Sequence, residues 1–353
     1  MKKKSKVKYL ISFAFLAIIS SCIIFAICLC TKPTNEKPNE ETTNKVLSYD
    51  LSNENCISTD FLLFEYNDTD DTAIFIGLSN ESGYTTNSWI GKTLRIPSEV
   101  VYNNKTYTVV EIDTTKSESM VRKLDNSGFM YTIQAYGSYV TALIIPNTVQ
   151  KINSAAFYGM ASLEYISTPF LGMARGVDDT TALSNNSSLH SMFSPMYTKG
   201  NESVKYYPLD VNFDANKGSV LKSWYLTAAL KDNASWYEIP YNLSVVEITD
   251  EKEVINRAFF DIDSLDTVRF IDNPLTDYDI ESIGEFAFAS CGNLKEVVLP
   301  KNIGSLPQGL FSECASLGGP RNDGEEPITI NLPLNITTIP DSFFGGCKSL
   351  KKI

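Results

Sequence analysis

"SIGEFAFASCGNLKEVVLP" at residues 282–300 decides the fold, because it returns as "SLPQGLFSECASL" at 305–317 and as "TTIPDSFFGGCKSLKKI" at 337–353. In each copy a Phe is followed three positions later by a Cys and three further on by a Leu: Phe288, Cys291, Leu294; Phe311, Cys314, Leu317; Phe344, Cys347, Leu350. The copies recur after 23 and then 33 residues. Such a period marks a solenoid, in which each unit buries its apolar residues only against its neighbours.

Two units lie further upstream. "IIPNTVQKINSAAFYGMASLEYI" (144–166) places Met160 in the Cys slot between Phe157 and Leu163, and "VINRAFFDIDSLDTVRFI" (254–271) places Ile262 there between Phe259 and Leu265. A slot that takes Cys, Met or Ile asks for a buried apolar group of moderate size. The cysteines therefore read as core side chains rather than metal ligands or redox centres. The other half of each unit has spaced apolar residues that stop at a proline: Leu294, Val297 and Leu299 before Pro300, and Ile328, Ile330 and Leu332 before Pro333. This predicts a short strand that ends where proline removes a ladder donor. The Phe-x-x-Cys segment is too short for an ordinary helix and is expected to form a tight turn or single helical turn on the opposite face.

These units resemble the leucine-rich repeats of the BspA-like type, whose unit reads approximately I-P-x-x-V-x-x-I-x-x-x-A-F-x-x-C-x-x-L-x-x-I. The matching residues are Ile145, Pro146, Val149, Ile152, Ala156, Phe157, Leu163 and Ile166, then Ile283, Ala287, Phe288, Cys291, Leu294, Val297, Leu299 and Pro300. "LRIPSEVVYNNKTYTVVEI" (94–112) is similar to the first unit usual in that family. The resemblance covers roughly residues 93–353. It implies a mainly β repeat solenoid of leucine-rich repeat coils, with short parallel strands on one side and turn elements on the opposite face.

Between residues 167 and 238 the period lapses into a stretch rich in Ser, Asn, Gly and Tyr, leaving after "ISTPFLG" and rejoining at "YEIPYNLSVVEIT". It resembles an insertion often seen inside repeats of this family. Insertions in a solenoid emerge on one face and often carry binding; the other reading is a loop without a partner. Tyr206, Tyr207, Trp224, Tyr225 and Trp236 are the candidate ligand contacts, as rings that stack on a sugar or anchor a protein. Their alternative role is to pack the insertion onto the solenoid.

The first 45 residues place the chain. Residues 9–30 hold 22 uncharged residues, enough at about 1.5 Å each to cross a hydrocarbon core of about 30 Å. Lys2, Lys3, Lys4, Lys6 and Lys8 precede them and keep residues 1–8 in the cytoplasm, so the bulk of the chain faces outward from a transmembrane signal anchor. The rival reading is a lipobox at Ile19-Ser20-Ser21-Cys22, in which Cys22 is lipidated after cleavage. Residues 31–45, "TKPTNEKPNEETTNK", hold no aliphatic or aromatic residue and read as a disordered stalk. In residues 46–92, "FLLFEY" and "TAIFIGL" read as strands of an N-terminal β cap over the open end of the repeat core. The chain stops inside a unit at Leu350 and Ile353, which suggests either a fragment or a partner that covers this end.

Chemistry is sparse. The net charge is −12, and the five leading lysines leave 25 basic against 42 acidic residues in the remainder. That balance disfavours nucleic acid, whose phosphates demand a basic footprint. The one histidine, His190, sits in a Ser/Asn-rich stretch and is expected to be solvated. No Ser-His-Asp or Cys-His set can be built without it, and no phosphate-loop, nucleophile-elbow or zinc-helix motif occurs. Asp68-Thr69-Asp70-Asp71 lacks the Gly and distal Glu of a calcium loop. No cofactor is implied. Outside the membrane segment lie Cys56, Cys291, Cys314 and Cys347, which read as free thiols, with a Cys314–Cys347 disulfide the alternative. Nine N-x-[ST] triplets follow from the Asn-, Ser- and Thr-rich composition. Two functions remain: a membrane-anchored, non-catalytic cell-surface recognition or adhesion protein that binds a protein or glycan, or an envelope structural or assembly module without a host ligand.

Overall fold

The computed structural model describes residues 49–79, 89–116, 120–122, 129–174, 188–193, 197–198, 220–225, 235–271 and 280–353. The basic tail, the apolar segment 9–30 with Cys22, the stalk, Tyr206 and Tyr207 lie outside the described residues. Among those described, no helix is long and apolar enough to cross a membrane.

Two hairpins open the chain: β1 (Leu62–Asn67) with β2 (Thr72–Leu78), then, after β3 (Thr93–Arg95), β4 (Glu99–Tyr102) with β5 (Lys105–Ile112). A short pair, β6 (Met120–Arg122) and β7 (Phe129–Tyr131), leads into the helical turn α1 (Thr132–Ala135). The coils continue with β8 (Ala142–Ile144), β9 (Lys151–Ile152) and β10 (Tyr165–Thr168). Then come the helical turn α2 (His190–Phe193) and strands β11 (Tyr197–Thr198), β12 (Val220–Tyr225) and β13 (Ser235–Pro240). The remaining coils supply β14 (Val245–Ile248), β15 (Glu253–Val254), β16 (Thr267–Phe270), β17 (Ser282–Ile283) and β18 (Glu296–Val298).

One strand from each of six successive coils forms a parallel sheet in the order β18-β16-β14-β10-β8-β3. A second sheet joins both N-terminal hairpins in the order β1-β2-β5-β4, with β9 also paired to β5. In the parallel sheet Leu94, Leu143, Ile166, Val246, Val268 and Val297 share one register row and are all buried. Their neighbours on either side point outward, because strand side chains alternate. A single apolar cluster runs from Ile57 to Phe343, so the hairpins and the coils share one core.

The opposite face is built from bonded turns. Phe259, Phe288, Phe311 and Phe344 stack with successive centroid separations of 4.8, 5.6 and 5.9 Å and interplanar angles of 16, 17 and 11°. Two residues before the Phe slot, Ala155, Arg257, Phe286, Gly309 and Ser342 all have φ between 55 and 61°. Two residues after it, Gly159, Asp261, Ser290, Glu313 and Gly346 have φ between 60 and 89°. Left-handed backbone costs a non-glycine residue about 1–2 kcal/mol. Seven of these ten positions accept that cost, so the turn shape is imposed by the stack rather than by local preference.

The Cys slot does more than fill space. Cys291 Sγ donates to the Phe259 carbonyl at 3.0 Å, Cys314 Sγ to the Phe288 carbonyl at 3.0 Å, and Cys347 Sγ to the Phe311 carbonyl at 3.1 Å. Each thiol thus bonds the Phe of the preceding coil, which Met160 and Ile262 have no group to do. All three are free thiols. Burial raises the pKa of each, that of Cys347 to about 11, which keeps them protonated and poorly nucleophilic.

Two differences from the sequence reading have physical causes. First, the lapse in period conceals a coil. The Ala155 and Phe157 amides donate to the Ser191 and Met192 carbonyls, and the Leu189 amide donates to the Ala258 carbonyl. Ser188–Phe193 therefore takes the place of a turn element between the Phe157 and Phe259 coils. His190, expected in solvent, is 0 % exposed, with Nε2 3.0 Å from the Phe260 carbonyl, because Leu189, Met192 and Phe193 draw the turn into the core. Desolvation lowers its pKa to about 4.

Second, the strand expected over Ile328–Leu332 is reduced to an isolated bridge, Thr329 with Lys352. The cause lies in the longer, 33-residue interval. The Gly318 amide still bonds the Lys295 carbonyl, as each coil does to the one before. Residues 319–327 then turn away with Pro320 at the strand position, and Arg321 folds back over the sheet.

A charged outer face as the candidate recognition site

The outward-facing rows of the parallel sheet gather polar side chains from coils far apart in sequence. One row runs Thr93, Ala142, Tyr165, Val245, Thr267, Glu296, and the next runs Arg95, Ile144, Ser167, Glu247, Arg269, Val298. Each position of the second row is held between two buried neighbours along the chain, and each of the first row is followed by one.

Acids and bases alternate across this face. The Tyr165 hydroxyl donates to Glu247 Oε2 at 2.6 Å, and Arg269 lies 3.1 Å from Glu247 and 3.8 Å from Glu296. Arg321 pairs with Glu296 and with Asp266, and its Nη2 donates to Thr267 Oγ1 at 3.1 Å. Lys295 closes the series 3.1 Å from Asp266 and donates to the Arg321 carbonyl at 3.4 Å. The Arg321 side chain is only 6 % exposed and that of Arg269 14 %, so these pairs are shielded more than ordinary surface ion pairs. Burial first, and Glu247 second, push the Tyr165 hydroxyl pKa up. Val298 and Ile271 flank the network as exposed apolar groups. The arrangement presents fixed donors and acceptors. It brings no nucleophile against a base.

Tyr49, Asp50 and Leu51 cross the other half of the same face. The Tyr49 hydroxyl lies 2.7 Å from Ser244 Oγ and 3.4 Å from the Glu164 carbonyl, and its ring sits 5.1 Å from that of Tyr165.

The residues expected to bind ligand are distributed as follows. Trp224 and Tyr225 lie on β12 and Trp236 on β13, in a three-stranded sheet of order β11-β13-β12. Trp236 is paired in register with both Trp224 and Tyr197, which places three aromatic residues in one cross-strand row. At Asp68–Asp71, Lys105 sits 3.5 Å from Asp68 and 2.5 Å from Asp71, and the Tyr107 hydroxyl donates to Asp68. A lysine thus occupies the place a cation would take. Among the described residues, no cluster of His, Cys, Asp or Glu is arranged to hold a metal ion. Sequence reasoning missed Arg321, Arg269, Glu247 and Tyr49, whose partners lie 22 to 195 positions away.

Residues 135–176 and 233–353 match the BspA type leucine-rich repeat region in six copies. These are BspA-type leucine-rich repeats. The matched BspA-type coils include both strands that carry Tyr165 and Arg269, while residues 93–134 and most of the expected insertion fall outside the match. Comparison with curated proteins finds no match. Among solved structures, the chain is similar to a leucine-rich repeat protein from Bacteroides ovatus at 18 % identity and a TM-score of 0.36, covering 79 % of this chain and 54 % of that one. It therefore spans about half the length of that protein. It is also similar to a leucine rich cell surface protein from Faecalibacterium prausnitzii (20 % identity, 84 % and 93 % covered, TM-score 0.26). A third similarity is to a leucine-rich repeat protein of T. pallidum (16 % identity, 84 % and 80 % covered, TM-score 0.32).

Proposed function

We propose that this BspA-type repeat scaffold is held at a membrane through residues 9–30 or Cys22, faces outward, and binds a protein or glycan of another cell or matrix without catalysing a reaction. The observation that carries the reading is the outer sheet face, where Glu247, Arg269, Glu296 and Arg321 are fixed in alternating sign beside exposed Val298 and Ile271. Complementary charge gives register and specificity, and apolar groups at its rim give affinity. The acidic composition argues against nucleic acid as the partner. In this reading Trp224 and Tyr225 on β12 and Trp236 on β13 supply further contacts to the partner.

One observation favours the alternative of an envelope assembly module: every charge in the sheet-face series already has a partner within the chain, as a purely structural brace would require. A soluble form beginning at residue 46 separates the two. Under the recognition reading it binds host matrix proteins, host cells or a glycan array, and Val298→Asp, at an exposed position outside the ion-pair series, abolishes that binding while the melting temperature holds. Recovery of only same-cell envelope proteins, with no host binding, overturns it.

A further inference from the structure

On the outer sheet face Ala142, Tyr165 and Val245 are 2, 4 and 0 % exposed, although they point away from the solenoid core. They form an apolar cluster separate from that core, and the chain's own Tyr49 and Leu51, with Ile144, are the partly buried groups packed against it. The segment that covers them is not a strand of the sheet. It is held by side chains of the face acting on its main chain. Thr93 Oγ1 donates to the Asp50 carbonyl at 3.1 Å, and Arg95 Nη2 donates to the Leu51 carbonyl at 2.8 Å. Asp50 itself is exposed, and its carboxylate turns back to accept from the Ser52 amide. Only Tyr49 and Leu51 are read by side chain. Tyr49 lies against the Tyr165 ring with its hydroxyl at Ser244 and the Glu164 carbonyl, and Leu51 lies on the apolar floor.

Main-chain carbonyls satisfied by fixed donors, with alternate side chains sorted into an aromatic-plus-hydroxyl site and an aliphatic site, is how a protein surface recognises an extended peptide. We infer that the face around Ala142, Tyr165, Val245 and Ser244 is a peptide-binding site for an extended Tyr-x-Leu segment, filled in this structure by the chain's own Tyr49–Leu51. The inference deepens the recognition reading by naming a peptide as the ligand class, and rests on it only for the existence of an outside partner. The tether makes the own segment a competitor at high effective concentration, so a free peptide meets an occupied site.

The test is fluorescence anisotropy with a labelled peptide of residues 46–55, titrated with the wild-type chain and with the Tyr49→Ala/Leu51→Ala chain. The doubly substituted chain is expected to bind the peptide about tenfold or more tightly than wild type, as removal of a cis competitor requires. A peptide carrying Tyr49→Ala is expected not to bind. Equal binding to both chains, or binding to neither, overturns the inference. Unfolding of the doubly substituted chain also overturns it, because the segment would then be part of the fold rather than a ligand. A second readout needs no variant: amides of residues 49–52 should exchange with solvent well before those of β10 and β14 in wild type, and exchange at the same rate refutes a detachable segment. No host ligand enters these measurements, so they succeed or fail apart from the host-binding assay.

Discussion

At Gly284 the main chains of two successive coils come close together, and its substitution measures what couples them. A Cβ at this position would lie 2.3 Å from the Asn256 amide nitrogen and 2.4 Å from the Ile255 carbonyl carbon, both main-chain atoms of the preceding coil. Ordinary contact begins near 3.4 Å, so Gly284→Ala must push the coils apart by about 1 Å in a core packed as densely as a crystal. The displacement falls on the Gly284 amide to Val254 carbonyl bond of 2.7 Å and on the adjoining pairs Ser282–Glu253 and Ile283–Val254. Overpacking costs about 1–3 kcal/mol and a strained main-chain bond about 0.5–1.5 kcal/mol, together about 2–4 kcal/mol. At roughly 2–4 °C per kcal/mol for a domain of this size, the melting temperature falls by about 5–12 °C. Gly304→Ala is the control: nothing lies within 4 Å of its Cβ, and no positive φ is required there. That variant should melt at or slightly above wild type. Scanning calorimetry on the three proteins decides the matter, supported by hydrogen exchange, which should quicken beyond residue 284 more than in β8 and β10 because repeats couple through nearest neighbours. Equal melting temperatures for Gly284→Ala and Gly304→Ala would refute the reasoning.

Four other substitutions probe separate forces. Ser290→Gly relieves a left-handed residue at φ 63° and should stabilise by about 0.5 kcal/mol, the reverse of the usual penalty for glycine, as read by denaturant midpoint. Arg321→Ala strips a partner from both Asp266 and Glu296 and should cost about 1–3 kcal/mol; Arg321→Lys should not restore it, since a single ammonium cannot span both carboxylates, and full rescue by lysine contradicts the geometry. Among the repeat cysteines, half-buried Cys347 should be alkylated before buried Cys314 and Cys291, and equal rates by mass spectrometry would deny the ordering. His190 titrates near 4 in the folded chain and near 6.5 when unfolded. Its stabilising effect is therefore complete above pH 6.5 and is lost as pH falls toward 4, by a few kcal/mol in all. In His190→Gln the melting temperature should depend less on pH across that window, and identical slopes would show that the imidazole is not what senses acid.

Much of the coil was legible in advance because its pattern is local. Phe288, Cys291 and Leu294 sit within seven residues, their spacing repeats, and their Met and Ile variants disclose a buried slot. The same logic failed at Ser188–Phe193, where Leu189, Met192 and Phe193 fill a coil without the Phe-x-x-Cys spacing, so His190 read as a loop residue. It failed again at the turn residues flanking the Phe slot, because seven of the ten left-handed positions are not glycine and only Gly159, Gly309 and Gly346 signal the conformation. The charged outer face was invisible for a further reason. Tyr165, Glu247, Arg269, Glu296 and Arg321 meet only once each coil's register against the next is set, and no interval in the chain encodes that register. The thiol bonds to the Phe carbonyls likewise depend on how far one coil is offset from another.

By itself, the sequence determined the repeat, the identity of the core side chains and an acidic composition, since periodic apolar residues can be satisfied only by stacking units that bury them. Tertiary structure alone decided what the surface displays. Outward side chains contribute little to the stacking energy, so their order along the chain carries no repeat; Arg321 reaches Asp266 across 55 positions and Tyr49 reaches Ser244 across 195 only because the coils are already in place.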